Sequence, residues 1–419
     1  MHKFITICVL FIGTFSFTQL DEVRVWTKTL CSPDFHGRGY VSNGDEIAAN
    51  YLASEYQKIG LLPVPGQNSM LQPFQFPVNT FPGEMKVQFN KEVLQPGIDF
   101  IVDPSSGGFK GDLNTVFLDG NSLYDIDNLN VLLLKHKESF MNALVVDLHN
   151  IKGDSLKVVK SRLHKWSSSI TIIELTSAKF TWSVSTEQTN FPYIQVRDTL
   201  WSNQKISINI ENKFIDRHTA NNVIAYLPSK KKKAKTIVFS AHYDHLGRMG
   251  AETYFPGGND NASGSAILLS LAKYFKENPS KYNLVFIGFA GEEAGLIGSN
   301  YYVNNPLFPL ENIRFLLNLD IMGSGEDGIT AVNASLFPKE FKKLQRVNKK
   351  KNLLKTVNPR GPAANSDHYF FSQKGVPSFF IYTMGPNKNY HDVFDTYESL
   401  SFAEFSDLTE LVKSFVKKL

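Results

Sequence analysis

Residues 240–247 read SAHYDHLG, placing His242 and Asp244 two positions apart directly after the apolar run 236–239. Side chains alternate along an extended chain, so both would project to the same side. An imidazole and a carboxylate so placed can bind a metal ion or support one another in doing so. Three polar residues at a strand end also occur without any function, so the stretch needs partners. Four further segments supply them: Asp260 within the Gly-rich PGGNDNASG, the pair Glu292-Glu293 after Ala290-Gly291, Asp320 closing IRFLLNLD, and His391 in Tyr390-His391-Asp392.

Histidines and carboxylates without thiolates suit zinc, with manganese or cobalt also open to such donors. Two metal ions about 3.5–4 Å apart are a device for hydrolysing peptides or esters, because they activate a water and polarise the scissile carbonyl. Such a site needs neutral imidazoles and at least one carboxylate that spans both ions. Adjacent side chains diverge, so one of Glu292 and Glu293 can ligate while the other acts as general base. Asp244 can orient the ring of His242 from behind. Each feature has a plain alternative: a strand terminus, acids stabilising a helix N-terminus, or a cap. Their joint occurrence on successive elements is much harder to explain by packing.

The elements that must position these residues follow from pattern. From about residue 219 apolar runs alternate with helical periods. Strands are expected at 222–227, 236–241, 283–289, 313–320 and 378–383, with helices at 263–276, near Leu296, near Pro338 and at 402–418. This predicts an α/β fold, a three-layer αβα arrangement about a largely parallel mixed sheet. Ligands of such sheets collect beyond the carboxyl ends of the strands. All five candidate segments sit at strand-to-helix crossings.

Upstream, Ile47, Ala48, Tyr51, Leu52, Tyr56 and Ile59 share one face of a helix over 44–59 that Gly60 ends. Between about 66 and 215, short runs such as NALVVDL and SITIIEL are separated by Pro, Gly, Asn and Asp, as in a β-rich inserted domain. The expected division is therefore a leader over 1–18, a catalytic domain of 19–65 and 216–419, and the insert of 66–215.

The 419 residues are 42% apolar and 20% charged, with a net charge of +4, an ordinary globular balance. The basic run Lys230–Lys233 with Lys235 lacks the wide face and interleaved aromatics of a nucleic-acid site, so no nucleic-acid partner is expected. His2 and Lys3 followed by FITICVLFIGTFSF read as a secretory signal, too short for a comfortable membrane span, which implies a secreted or periplasmic protein without stable membrane insertion. Removing that leader leaves Cys31 as the only cysteine, so no intramolecular disulfide is available and Cys31 is expected to be a packed residue.

The segments HYDH, GGNDNASG, GFAGEEAGLIGS, NLDIMG, NSDHYFF and YHDVFDT together resemble the successive motifs of the di-zinc aminopeptidase family, which includes bacterial leucyl aminopeptidases, aminopeptidase Y and glutamate carboxypeptidase II. The resemblance covers about 219–419, the N-terminal helix and FHGRG (35–39). It implies a zinc exopeptidase-like fold with two Zn2+ per chain: His242 and Asp320 on one ion, Glu293 and His391 on the other, and Asp260 bridging. It also implies Glu292 as proton shuttle, Asp244 behind His242, and peptides with a free N-terminus as substrates. Tyr382, His368 and the loop Gly361–Ser366 are candidates for lining the site or simply for packing near it, while His245 is expected to be an exposed loop residue. The insert occupies the place of a protease-associated domain in some relatives, or is an unrelated β-rich lid. Two rival functions share these residues: a glutaminyl-peptide cyclotransferase on the same fold, and a metal-free binding module.

Overall fold

The strands Thr236–His242, Asn283–Phe289, Ile313–Leu319 and Ser378–Met384 are buried almost without interruption, as strands covered on both faces must be. In the computed structural model, which describes residues 19–89, 92–118, 142–201 and 205–419, these four lie side by side and parallel, in the order 283–289, 236–242, 313–319, 378–384. The leader expected over 1–18 lies outside the described residues. Antiparallel strands extend the sheet on both sides: Lys213–Leu227 and then Leu71–Thr80 on one, Gly328–Val332 on the other, with Val357–Pro359 beyond it. The α/β fold is thus a mixed eight-stranded sheet with a parallel centre.

Period-two alternation divides the strand side chains between two cores. Ile237, Phe239, Phe286, Phe315 and Leu317 face helices Gly44–Ile59, Gly264–Glu277, Pro338–Lys351 and Phe405–Lys418. Val238, Val285, Ile287 and Leu316 face the shorter helices Ile297–Asn304 and His368–Gln373. Helix Gly44–Ile59 ends as expected at Gly60, whose φ of 86° suits a residue without Cβ. Its buried face is rotated slightly from expectation: Ala49 and Ala53 are buried, while Ile47 is exposed. The lysines of 230–233 are exposed and Cys31 is buried, its thiol pushed up to about 12 by burial.

A second eight-stranded sheet is built from residues 85–210, with strands Asn142–Asp147, Thr171–Thr176 and Tyr193–Arg197 parallel to one another. Two features differ from the β-rich segment expected over 66–215. Strand Leu71–Thr80 belongs to the first sheet, paired with Lys213–Leu227. Helix Gly153–Trp166 makes the crossover between two of the parallel strands; it buries only Val159 and Leu163, too few apolar residues to show a helical period in the sequence. The other face of this sheet packs on Leu246, Met249 and Phe255, which follow directly from the HYDH segment. The two sheets therefore share apolar packing beside the strand ends.

The FHGRG approach joins these parts. Residues Pro33–Arg38 form a tight turn of 3-10 helix, and Gly39 passes so close to Gly247 that a Cβ on it would sit 2.3 Å from the Gly247 Cα. Arg38 is fully buried. Its guanidinium donates to the carbonyls of Tyr243 (2.8 Å), Leu30 (2.8 Å), Pro256 (2.7 Å) and Gly257 (2.7 Å), tying the chain just after His242 and just before Asp260 to the N-terminal segment. A buried acceptor left without its donor costs about 1–3 kcal/mol, and bonds to charged donors are the stronger ones. Arg38→Leu is expected to lower unfolding stability by at least about 3 kcal/mol, measured as a reduced midpoint in urea denaturation.

Candidate metal centre

The five segments singled out by type and spacing converge at the carboxyl ends of the parallel strands. His242 is the last residue of its strand and Asp320 directly follows Leu319. Glu292 and Glu293 lie just past Phe289, in a turn that Gly291 enters with φ 69°. Asp260 lies in the helical turn Gly258–Ser263 that leads into helix Gly264–Glu277. His391 sits on the loop after Ser378–Met384, at φ 53°.

Asp260 stands at the centre. Its Oδ1 is 3.1 Å from His242 Nε2 and its Oδ2 is 3.1 Å from His391 Nε2. His242 Nε2 is also 3.4 Å from Asp320 Oδ1, and His391 Nε2 is 3.2 Å from Glu293 Oε2. Each carboxylate oxygen of Asp260 thus meets a different imidazole, and each imidazole meets one further acid. Glu292 lines the same cleft of about 300 Å3.

Each of these side chains is held from behind. His391 Nδ1 pairs with the carbonyl of Trp182 at 2.8 Å, and the Trp182 N–H donates to the His391 carbonyl at 2.9 Å. The Nδ1–carbonyl bond puts a proton on Nδ1 and so makes Nε2 the nitrogen available to a metal ion in the cleft. Trp182 comes from the second sheet's core and stacks on Phe255 at 4.6 Å. Three residues earlier, Lys179 pairs with Asp392 at 2.5 Å and donates to the carbonyls of Lys388 and Tyr390 at 2.8 and 3.2 Å. Asp395 accepts from the backbone N–H groups of Asn259 and Asp260, fixing the Asp260 turn. Asp320 Oδ2 accepts from Ser366 at 3.1 Å.

Asp244 is fully buried, and its role is broader than support of one ring. His242 Nδ1 meets the backbone carbonyl of Asp244 at 3.1 Å, whereas the carboxylate is 3.8 Å away. The carboxylate instead accepts from Tyr40 at 2.6 Å and from the N–H groups of Glu292 and Glu293 at 3.3 and 3.2 Å. It therefore ties the two glutamates to the His242 strand. The exposed loop position expected for His245 is wrong: the residue is fully buried, and its Nδ1 lies 2.8 Å from Glu293 Oε1. Its burial depends on the backbone of 37–39 packing over it, a contact no local pattern reveals. Tyr382 and Asn365 line the cleft, but His368 does not. It is buried, with its ring 5.4 Å from that of Phe380. Asp367, which local spacing did not mark, is also buried, and burial pushes its carboxyl up to about 7.

Crowding sets the charge states. Burial raises Glu292 well above the usual carboxylate range, with Glu293, Asp367 and Asp320 adding to it against the pull of His242. Burial likewise raises Asp320. Against burial, His391 and His245 draw Glu293 down to about 2, and the neighbouring acids raise His391 to about 11. Protons on the imidazoles thus offset the carboxylates of the bare protein.

The donor spacing also suits metal ions. Zinc bonds of about 2.0–2.2 Å in a tetrahedron separate neighbouring donors by roughly 3.3–3.6 Å. The four separations around Asp260, 3.1–3.4 Å, are close to that edge. His242, Asp260 and Asp320 present three donor atoms within 4.8 Å of one another, as do His245, Asp260 and Glu293. In the second group His245 Nδ1 is already directed at Glu293 Oε1, and Oε2 of Glu293 remains directed at His391.

Residues 222–416 match the model of peptidase family M28. Aminopeptidase YwaD of Bacillus subtilis is 33% identical over 123 residues, 29% of this chain and 26% of its own length. A probable leucine aminopeptidase of Trichophyton verrucosum is 27% identical over 223 residues, 49% of this chain and 58% of its own. The chain thus spans about a quarter of the length of the Bacillus relative it matches. Among solved structures, a zinc aminopeptidase from Bacillus subtilis superposes with a TM-score of 0.71 at 18% identity, covering 95% of this chain and 94% of that one. An aminopeptidase from an Aneurinibacillus strain gives 0.62 at 19% identity over 95% and 93%. The overall architecture, both sheets included, recurs in these structures.

Removing a partner that orients a ligand typically weakens metal binding about 10–100-fold. Lys179→Met is expected to raise the zinc dissociation constant on the His391–Glu293 side about tenfold, with the His242–Asp320 side changed much less. Competition against a chromophoric chelator would measure the two constants separately.

Proposed function

We propose that the protein, whose residues 222–416 match the model of peptidase family M28, is a zinc-dependent aminopeptidase that hydrolyses the N-terminal bond of peptides. The observation that carries this reading is the Asp260 carboxylate shared between His242 and His391, each imidazole completed by one further acid at 3.2–3.4 Å. His242 and Asp320 would hold one zinc, His391 and Glu293 the other, with Asp260 common to both. Zinc in such a site supplies Lewis acidity to water and to the scissile carbonyl.

The remaining chemistry belongs to side chains. Glu292 borders the cleft without being one of the five ligands. Its place on the cleft wall, with burial raising its proton affinity, suits it to take a proton from the attacking water and return it to the leaving amine. Asp244, through the Glu292 and Glu293 N–H groups, keeps that carboxyl beside the ligand next to it. Tyr390, an exposed residue of the cleft lining, stacks on His391 at 4.0 Å.

The second sheet acts in this reading as an inserted domain that completes the centre, because Trp182 and Lys179 hold the loop bearing His391. Export through the apolar segment at 1–18 belongs to the same proposal. No helix among the described residues is long and apolar enough to cross a membrane.

Glu292→Gln is expected to retain both metals and lose about 10²–10⁴ of kcat, the usual span for a general base. The test is hydrolysis of aminoacyl-anilides and peptides with free or acetylated N-termini, with and without chelator. Chelator and N-acetylation should each abolish cleavage by the native protein. Undiminished turnover by Glu292→Gln would overturn the assigned base, and cleavage of acetylated peptides would overturn the aminopeptidase assignment.

A further inference from the structure

The cleft has one pole that the ligand set does not use. Beyond the ligands and Glu292, its walls are Ile321, Phe380, Tyr382 and Tyr390, with Arg360 and Asn365 at the rim. Arg360 is the only guanidinium or ammonium group among the described lining residues. Its backbone is fixed on both sides: its N–H donates to the Ala331 carbonyl at 2.9 Å and its carbonyl accepts from Ala334 at 3.1 Å. Its side chain makes a single hydrogen bond among the described residues, from Nη1 to the hydroxyl of Tyr382 at 3.3 Å.

The contrast with Arg38 is informative. Arg38 spends its guanidinium on buried backbone carbonyls and has nothing left for a ligand. Arg360 carries the same fork of five donors on an exposed side chain and uses one of them. The rigid fork matches a carboxylate in bidentate fashion better than a lysine would.

We propose that Arg360 is a specificity residue that binds a carboxylate of the peptide substrate, directing the enzyme to short or acidic peptides. This rests on the peptidase reading above. The carboxylate has two possible sources: the side chain of an N-terminal Glu or Asp, or the α-carboxylate of a dipeptide. In either case it would lie beside the Tyr382 hydroxyl and the Asn365 amide.

The test uses the zinc-loaded full chain and two kcat/KM ratios. Glu-Ala-amide against Gln-Ala-amide reports an acidic side chain, and Leu-Ala against Leu-Ala-amide reports an α-carboxylate. The native enzyme should favour the carboxylate-bearing member of one pair by about tenfold or more, as expected for a charge-assisted hydrogen bond. Arg360→Gln should remove that preference, and Arg360→Glu should invert it. Ratios near one in the native enzyme, or ratios that neither substitution moves, would overturn the proposal. Should the native protein cleave none of these peptides, the peptidase reading fails, and calorimetric binding of glutamate and leucine decides the Arg360 question separately. Glutamate binding lost in Arg360→Gln would support the carboxylate site; binding of glutamate that is absent or equal in both proteins would overturn it.

Discussion

Asp260, Glu292, Glu293 and Asp320 crowd one site, where Asp260 and Asp320 lie within 3.4 Å of His242 Nε2 and Asp260 and Glu293 within 3.2 Å of His391 Nε2. Buried carboxylates at this spacing repel strongly, and a low-dielectric setting offers little screening. The bare protein answers with protons, held on His242 and His391 and favoured on Glu292. Divalent cations answer the same need with more charge and with directional bonds. Much of the surrounding structure can be read as holding this unfavourable cluster together: Arg38 across two loops, Asp395 under the Asp260 turn, Asp244 behind the glutamates.

The same constraint gives the second sheet a role. A histidine on a loop can ligate only if its ring is oriented, and His391 sits farther along its loop from a strand end than His242 does. The Trp182 carbonyl and the Lys179–Asp392 pair provide that orientation from outside the first sheet. Leu246, Met249 and Phe255 then carry the packing of that sheet straight back to HYDH. Domain packing and ligand geometry are thus mechanically linked.

What the sequence revealed follows from this arrangement. The central strands were legible because both faces are covered, leaving runs such as NLVFIGF almost unbroken. His242, Glu293 and Asp320 were legible because each closely follows such a run, and Asp260 because it sits in a Gly-rich turn before a helix. His245 was not, since its burial comes from Gly37–Gly39 folding over it across some 200 residues of chain. Arg38 looked like one more residue of a short motif, and only its carbonyl partners show its structural work. Helix Gly153–Trp166 was missed because two buried side chains cannot set a period. Strand Leu71–Thr80 was assigned to the insert because its neighbour in the sheet lies more than a hundred residues away.

The central claim is that Asp260 bridges two metal ions. Anomalous diffraction at the zinc edge from crystals of the zinc-loaded protein addresses it directly. The account predicts two peaks about 3.5–4 Å apart, one beside His242 and Asp320, the other beside Glu293 and His391, with one Asp260 oxygen on each. A single peak, or a pair in which Asp260 touches only one ion, would contradict it.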